Sequence, residues 1–141
     1  MGYLSDRGLD VGRLQRGVAF GYFLVLAPVA SLNYIPGVTD PFGVAFGIFA
    51  LDIYDDLLHL GSALWAGLAA VAGVRASRIF LTGFGALYLA DGVLGLLTGS
   101  GYLDLGIYYY GVQDLDWGFK VLANAPHVGL GGFALLMGTR R

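Results

Sequence analysis

The amino-acid sequence predicts an all-α fold, a four-transmembrane-helix bundle forming a single integral membrane domain over residues 1–141. Three observations predict it. Of the 141 residues, 57% are hydrophobic and only 13% charged, about half the share usual in soluble domains, and the mean hydropathy is +0.70. The apolar residues gather into runs that approach the roughly 20 residues a spanning helix needs, and four such runs fit this length. Finally, if there are four spans, Arg7, Arg13, Arg16, Arg75, Arg78, Arg140 and Arg141 all fall on one side, with Lys120 alone opposite. A chain with so few charges cannot cover a water-facing surface, which excludes a soluble domain and a disordered tail. The net charge of −2 gives no bulk pull toward nucleic acid or anionic lipid. With no cysteine, disulfides, iron–sulfur clusters and thiol catalysis are excluded.

Met1 to Arg16 is polar with no apolar run, so the first span is expected to direct insertion itself. That span is expected at about 17–35, kinked by Pro28, and closed by Asn33, Pro36 and Gly37. Asp40-Pro41 has the chemistry of a helix start. The apolar stretch after it is too short to cross, so a short interfacial or re-entrant helix is expected at about 41–51. Asp55 or Asp56 is expected to cap the second span, at about 57–74, which ends in a turn at Arg75-Ala76-Ser77-Arg78. The third span, about 79–98, carries one ionisable residue, Asp91. Gly101 to Asp116 is long for an unstructured loop. With Tyr108-Tyr109-Tyr110 it is expected to be an ordered external segment at the membrane interface. The fourth span, about 117–138, contains Pro126 and is expected to run as a kinked helix from about Trp117. The positive-inside rule then places both termini in the cytoplasm.

The chain repeats itself. Asp56-Leu-Leu-His59-Leu-Gly61 opens the second span, and Asn124-Ala-Pro-His127-Val-Gly129 lies near the start of the fourth. Both spans run in the same direction, so the halves form two parallel two-helix repeats. The pentapeptide Gly-Val-Ala-Phe-Gly also occurs at 17–21 and at 43–47, which is put down to composition. Gly17 and Gly21, Ser62 with Ala66 and Ala70, and Gly95 and Gly99 form small-residue stripes of the kind that let helices approach closely in lipid.

Through Asp56-Leu57-Leu58-His59-Leu60 and Asn124-Ala125-Pro126-His127-Val128, the chain resembles a family of small bacterial four-span membrane proteins catalogued as a domain of unknown function. Members of that family carry an Asn-x-x-His-Leu pattern at the start of the second span and a similar one in the fourth. The resemblance covers the chain from about residue 13 to its end. This sequence departs from the pattern in Asp56, in Pro126 before the histidine, and in its tyrosine-rich loop. The resemblance implies an architecture in the bacterial inner (cytoplasmic) membrane, and no activity.

The candidate intramembrane polar site is Asp91, His59, His127, Asn124 and Asp56. Helical rise puts Asp91 and His127 at nearly one depth, with His59 nearer the outer surface. A carboxyl group at that depth costs roughly 2.5–3.5 kcal/mol on insertion scales, so Asp91 must face other helices, be protonated, or pair with His127. For the histidines two readings stand. In one, Asp56 and Asn124 cap their helices and each imidazole bonds a neighbouring carbonyl. In the other, the two imidazoles share a site and ligate haem iron, or one ligates a chlorophyll magnesium. The polar residues contain no credible catalytic set and no metal site. The expected function is therefore a non-catalytic accessory or scaffold subunit without a cofactor, whose partners are the lipid bilayer and other membrane-protein subunits or further copies of itself. The alternatives are haem or chlorophyll binding through His59 and His127, and a proton or ion path through Asp91.

Overall fold

In the computed structural model, residues 2–141 are described, with side chains from residue 10 onward; Arg7 therefore lies outside the described side chains. The architecture is dominated by four long helices: α1 (Gly2–Val29), α2 (Ile53–Ala72), α3 (Val74–Thr98) and α5 (Trp117–Thr139), with a five-residue α4 (Gly106–Tyr110) before the last. Three stretches are long and apolar enough to cross a membrane: Asp10–Tyr34, Val74–Thr98 and Trp117–Thr139. The second expected span, now α2, is not among them.

Several boundaries differ from expectation. The first helix does not begin at about residue 17: α1 already runs from Gly2. Pro28 does not kink the middle of a span: the helix ends one residue later, at Val29, and a single 3-10 turn, Leu32–Tyr34, follows. The expected helix at about 41–51 is a two-stranded antiparallel hairpin, β1 (Val44–Ala45) and β2 (Phe49–Ala50). Asp40 does accept from the backbone N–H of Phe42 and Val44, at 2.8 and 2.9 Å, but no helix grows from it. Gly43, Phe46 and Gly47 take positive φ of 79°, 55° and 70°, a conformation no right-handed helix contains. The cap of α2 is Asp52, not Asp55 or Asp56. Its carboxylate accepts from Tyr54 and Asp55 while Asp55 reaches back to the Asp52 N–H, a complete capping box. The turn at 75–78 shrinks to Gly73 alone, at φ 119°, where a side chain would be strained.

The helices associate as two antiparallel pairs. In the first, α1 against α2, Arg16 lies beside Ala70 and Asn33 beside Asp56. In the second, α3 against α5, Arg78 lies beside Gly138 and Asp91 beside His127. The second seam is built from glycine. A Cβ on Gly85 or Gly131 would run into the facing backbone, one on Gly138 would meet Thr82 N at 2.7 Å, and one on Gly92 would meet Val128 N at 2.8 Å. Backbones this close gain dispersion and cost little side-chain entropy. By contrast, Gly17 and Gly21 have nothing within 4 Å of a Cβ, so that stripe is not a seam. Between the pairs runs a column of rings: Trp65 on Phe80 at 5.1 Å, Phe80 on Phe84 at 5.2 Å, Phe84 on Tyr88 at 3.9 Å, with Tyr22 edge-on to Phe84 at 5.1 Å. Phe80, Phe84 and Tyr88 are one turn apart on α3 and fully buried, which is why the column follows the helix axis.

At one end, polar side chains satisfy last-turn carbonyls that a helix leaves orphaned. Arg16 Nε donates to Ala70 O at 3.1 Å, Arg78 Nε to Gly138 O at 3.3 Å, and Gln15 Nε2 to Met137 O at 3.0 Å and Arg140 O at 3.2 Å. This arginine end gathers the basic residues, and the opposite end carries residues 30–52 and 99–116.

Candidate functional site

Asp91 lies seven residues before Thr98, the last residue of α3, and is 1% exposed. It makes three bonds. His127 donates Nδ1–H to Oδ2 at 2.5 Å, and the backbone N–H groups of Tyr102 and Leu103 donate to Oδ1 at 2.6 and 2.9 Å. A buried carboxylate is tolerated only with such compensation. The consequence is mechanical: one carboxylate ties α5 and the 99–116 segment to α3. Gly101 must be small for this, since a Cβ there would sit 2.8 Å from Asp91 Oδ1.

The same segment is fastened at other points. Tyr102 Oη donates to Leu87 O at 2.9 Å, the N–H of Ile107 to Gly101 O at 2.6 Å, and that of Gln113 to Thr98 O at 2.7 Å. Tyr54 of α2 stacks on Tyr109 of α4 with ring centroids 5.5 Å apart and hydroxyls 3.1 Å apart. The expected order in the 101–116 region is therefore present, with α4 as its core. Ser100, beside it, buries its hydroxyl with no protein partner.

The two histidines are oriented alike. His59 donates Nδ1–H to Asp55 O, one turn back on its own helix, at 2.7 Å. With Nδ1–H engaged in both rings, the neutral tautomer leaves Nε2 as the free lone-pair nitrogen. Their ring centroids are 6.3 Å apart, and Tyr88 flanks His127 at 5.0 Å. His59 and His127 thus meet across the space between α2 and α5, two helices that do not pack along their lengths.

Asp56 and Asn124 behave differently from expectation. Neither caps a helix: Asp52 caps α2, and Asp116, accepting from Phe119 N at 3.2 Å, caps α5. Asp56 turns toward α1, where Asn33 Nδ2 donates to it at 3.3 Å. Asn124 lies mid-helix, donates to Lys120 O at 2.9 Å, and packs its amide on Gly95 of α3. The Asx residues are therefore parts of two different seams, and the structure gathers Asp91, His127 and His59 without them. Tyr102 and Leu103 were invisible as site residues, because backbone donors leave no mark in a sequence. Ser62 and Tyr88, whose hydroxyls are 3.1 Å apart in the core, and Tyr22, which donates to Leu130 O of α5 at 2.5 Å, were missed for lack of a partner in the local pattern.

Asp55, in the first turn of α2 ahead of the apolar run, has its carboxyl pushed up to about 7, first by burial and then by the negative charge of Asp104. Among the described residues no group of three or more acidic or histidine side chains could hold a metal ion. No family model, curated protein or solved structure matches the chain.

Proposed function

We propose that this chain is a non-catalytic integral membrane protein, an accessory or scaffold subunit that holds an ordered aromatic face at the outer end of a four-span bundle. In this reading α2 is the fourth crossing helix, the two antiparallel pairs are parallel repeats, and the arginine end faces the cytoplasm with both termini. The bacterial inner membrane is the location that fits. The observation that carries the proposal is the bonding of Asp91. A carboxylate on a transport path needs water or a mobile proton partner. This one is buried and spends all three bonds on fixing α5 and the external backbone. Above it stand side chains that the fold leaves bare: Phe42 at 89% exposure, Tyr108 at 81% and Trp117 at 63%. Aromatic side chains of this kind suit a protein–protein contact or the headgroup layer, as each has an apolar body and several a polar tip.

Native mass spectrometry of protein extracted from its own membrane tests the proposal. The expected result is a co-isolated membrane subunit or a defined oligomer, lost on Phe42→Ser/Tyr108→Ser substitution. A strictly monomeric protein with no companion overturns it.

One observation favours a second reading. In both imidazoles Nδ1 is engaged and Nε2 is free, the pattern of hydrogen bonding metal-ligating histidines use, and this favours haem or chlorophyll coordination by His59 and His127. A visible absorption band that His59→Leu and His127→Leu each abolish supports it, and a colourless preparation from cells making the pigment removes it.

A further inference from the structure

At the arginine end a groove of about 470 Å³ opens between α1 and α2, lined by Arg13, Arg16, Gly17, Phe20, Ala70 and Val71. Two guanidinium groups line it from α1, and its other side chains are apolar: Ala70 and Val71 of α2, level with Arg16, and Phe20, one turn further along α1. Arg16 is pinned: its Nε donates to Ala70 O at 3.1 Å, which occupies the negative end of α2 and leaves the terminal nitrogens to face outward. Arg13 is 4.0 Å from Asp10, both side chains being more than three-quarters exposed, so that pair is weak. Phe20 is 50% and Val71 81% exposed, forming an apolar wall continuous with the outer surface of the helix pair. Gly17 leaves open space at the centre, with nothing within 4 Å of a Cβ.

We infer that this groove binds one anionic phospholipid, with the phosphate at Arg13 and Arg16 and an acyl chain along Phe20 and Val71. Arginine matches phosphate oxygens in a bidentate fork, and a guanidinium held in place loses less entropy on binding. Basic pockets between helices at the headgroup level are where such lipids dock. Charge alone would accept any free anion; the apolar wall beside the charges selects an anion that carries a hydrocarbon chain. The inference rests on the membrane reading above, with the arginine end at a headgroup layer.

The test uses the full chain in mixed micelles holding equal amounts of phosphatidylglycerol and phosphatidylcholine, read by native mass spectrometry. Wild type is expected to retain phosphatidylglycerol about tenfold over phosphatidylcholine. Arg13→Gln/Arg16→Gln is expected to lose that preference, and so is Gly17→Leu, which keeps both charges and places a side chain in the groove from a position whose Cβ meets nothing within 4 Å. Arg140→Gln/Arg141→Gln, at the same end but outside the groove lining, is expected to keep it. Equal retention of the two lipids by wild type overturns the inference, as does a preference that survives Gly17→Leu or is displaced by inorganic phosphate alone. Flotation of wild type with pure phosphatidylcholine vesicles separates the two failures: floating without lipid preference removes only the groove, and failure to float removes the membrane reading.

Discussion

The two Asx-x-x-His copies are equal in spacing and unequal in role. Around Asn124 and His127 the helix is already running, and α3 presses against it through glycine. His127 can therefore reach a carboxylate from another helix, and it joins three segments of chain. Around Asp56 and His59 the helix is only beginning. No carboxylate of a neighbouring helix bonds His59, which instead bonds the carbonyl of Asp55 in its own first turn. A four-residue pattern fixes which groups are available. What they do depends on how near the next backbone comes.

Substitution can break this contrast. The largest effect is expected at Asp91. Asp91→Ala leaves three buried donors without an acceptor and is expected to cost at least about 3 kcal/mol, since each orphaned buried donor costs about 1–3 kcal/mol. Denaturation in detergent should show it, together with new proteolytic cleavage between residues 99 and 116; unchanged cleavage means Asp91 does not hold the segment. Next comes the histidine pair. His127→Leu is expected to cost about 1.5–3 kcal/mol, as for a hydrogen bond to a charged group, whereas His59→Leu loses a neutral bond worth about 0.5–1.5 kcal/mol. Equal costs would erase the distinction between the copies.

The smallest effect is in pH. The Asp55 carboxyl, raised from the ordinary 3.8 to about 7, binds its proton more tightly folded than unfolded. It contributes stability that is fully present below the ordinary value and lost as pH rises toward 7. Melting temperature is expected to fall over that window in wild type and to flatten in Asp55→Asn; an unaltered slope in the variant assigns the dependence elsewhere.

Much of the frame was legible in the residues. Apolar runs of spanning length, arginines at their ends and the shared depth of Asp91 and His127 follow from composition and from a rise of 1.5 Å per residue. Tyr108-Tyr109-Tyr110 in a long connection pointed to order, and α4 is there. Less legible were the choices between equivalent signals. Asp52, Asp55 and Asp56 all offer a capping carboxylate, and only the reciprocal bond between Asp52 and Asp55 selects the first. Gly17 and Gly21 have the spacing of a helix seam and face open space, whereas Gly85 and Gly131, 46 positions apart in sequence, close the tightest one.

The pentapeptide Gly-Val-Ala-Phe-Gly marks the boundary between the two kinds of information. At 17–21 it is helix inside α1; at 43–47 it forms the first strand and turn of a hairpin with three positive φ angles. The alanine is fully buried in both places. The sequence by itself determined that this chain is helical and apolar, where its charges gather, and which few polar groups enter the apolar layer, because these depend on composition and helical period alone. Tertiary structure decided which of those groups meet, which glycines touch, and whether the same five residues coil or fold back. Hydrogen bonds and close packing act over a few ångströms, and nearness between distant parts of a chain exists only once it has folded.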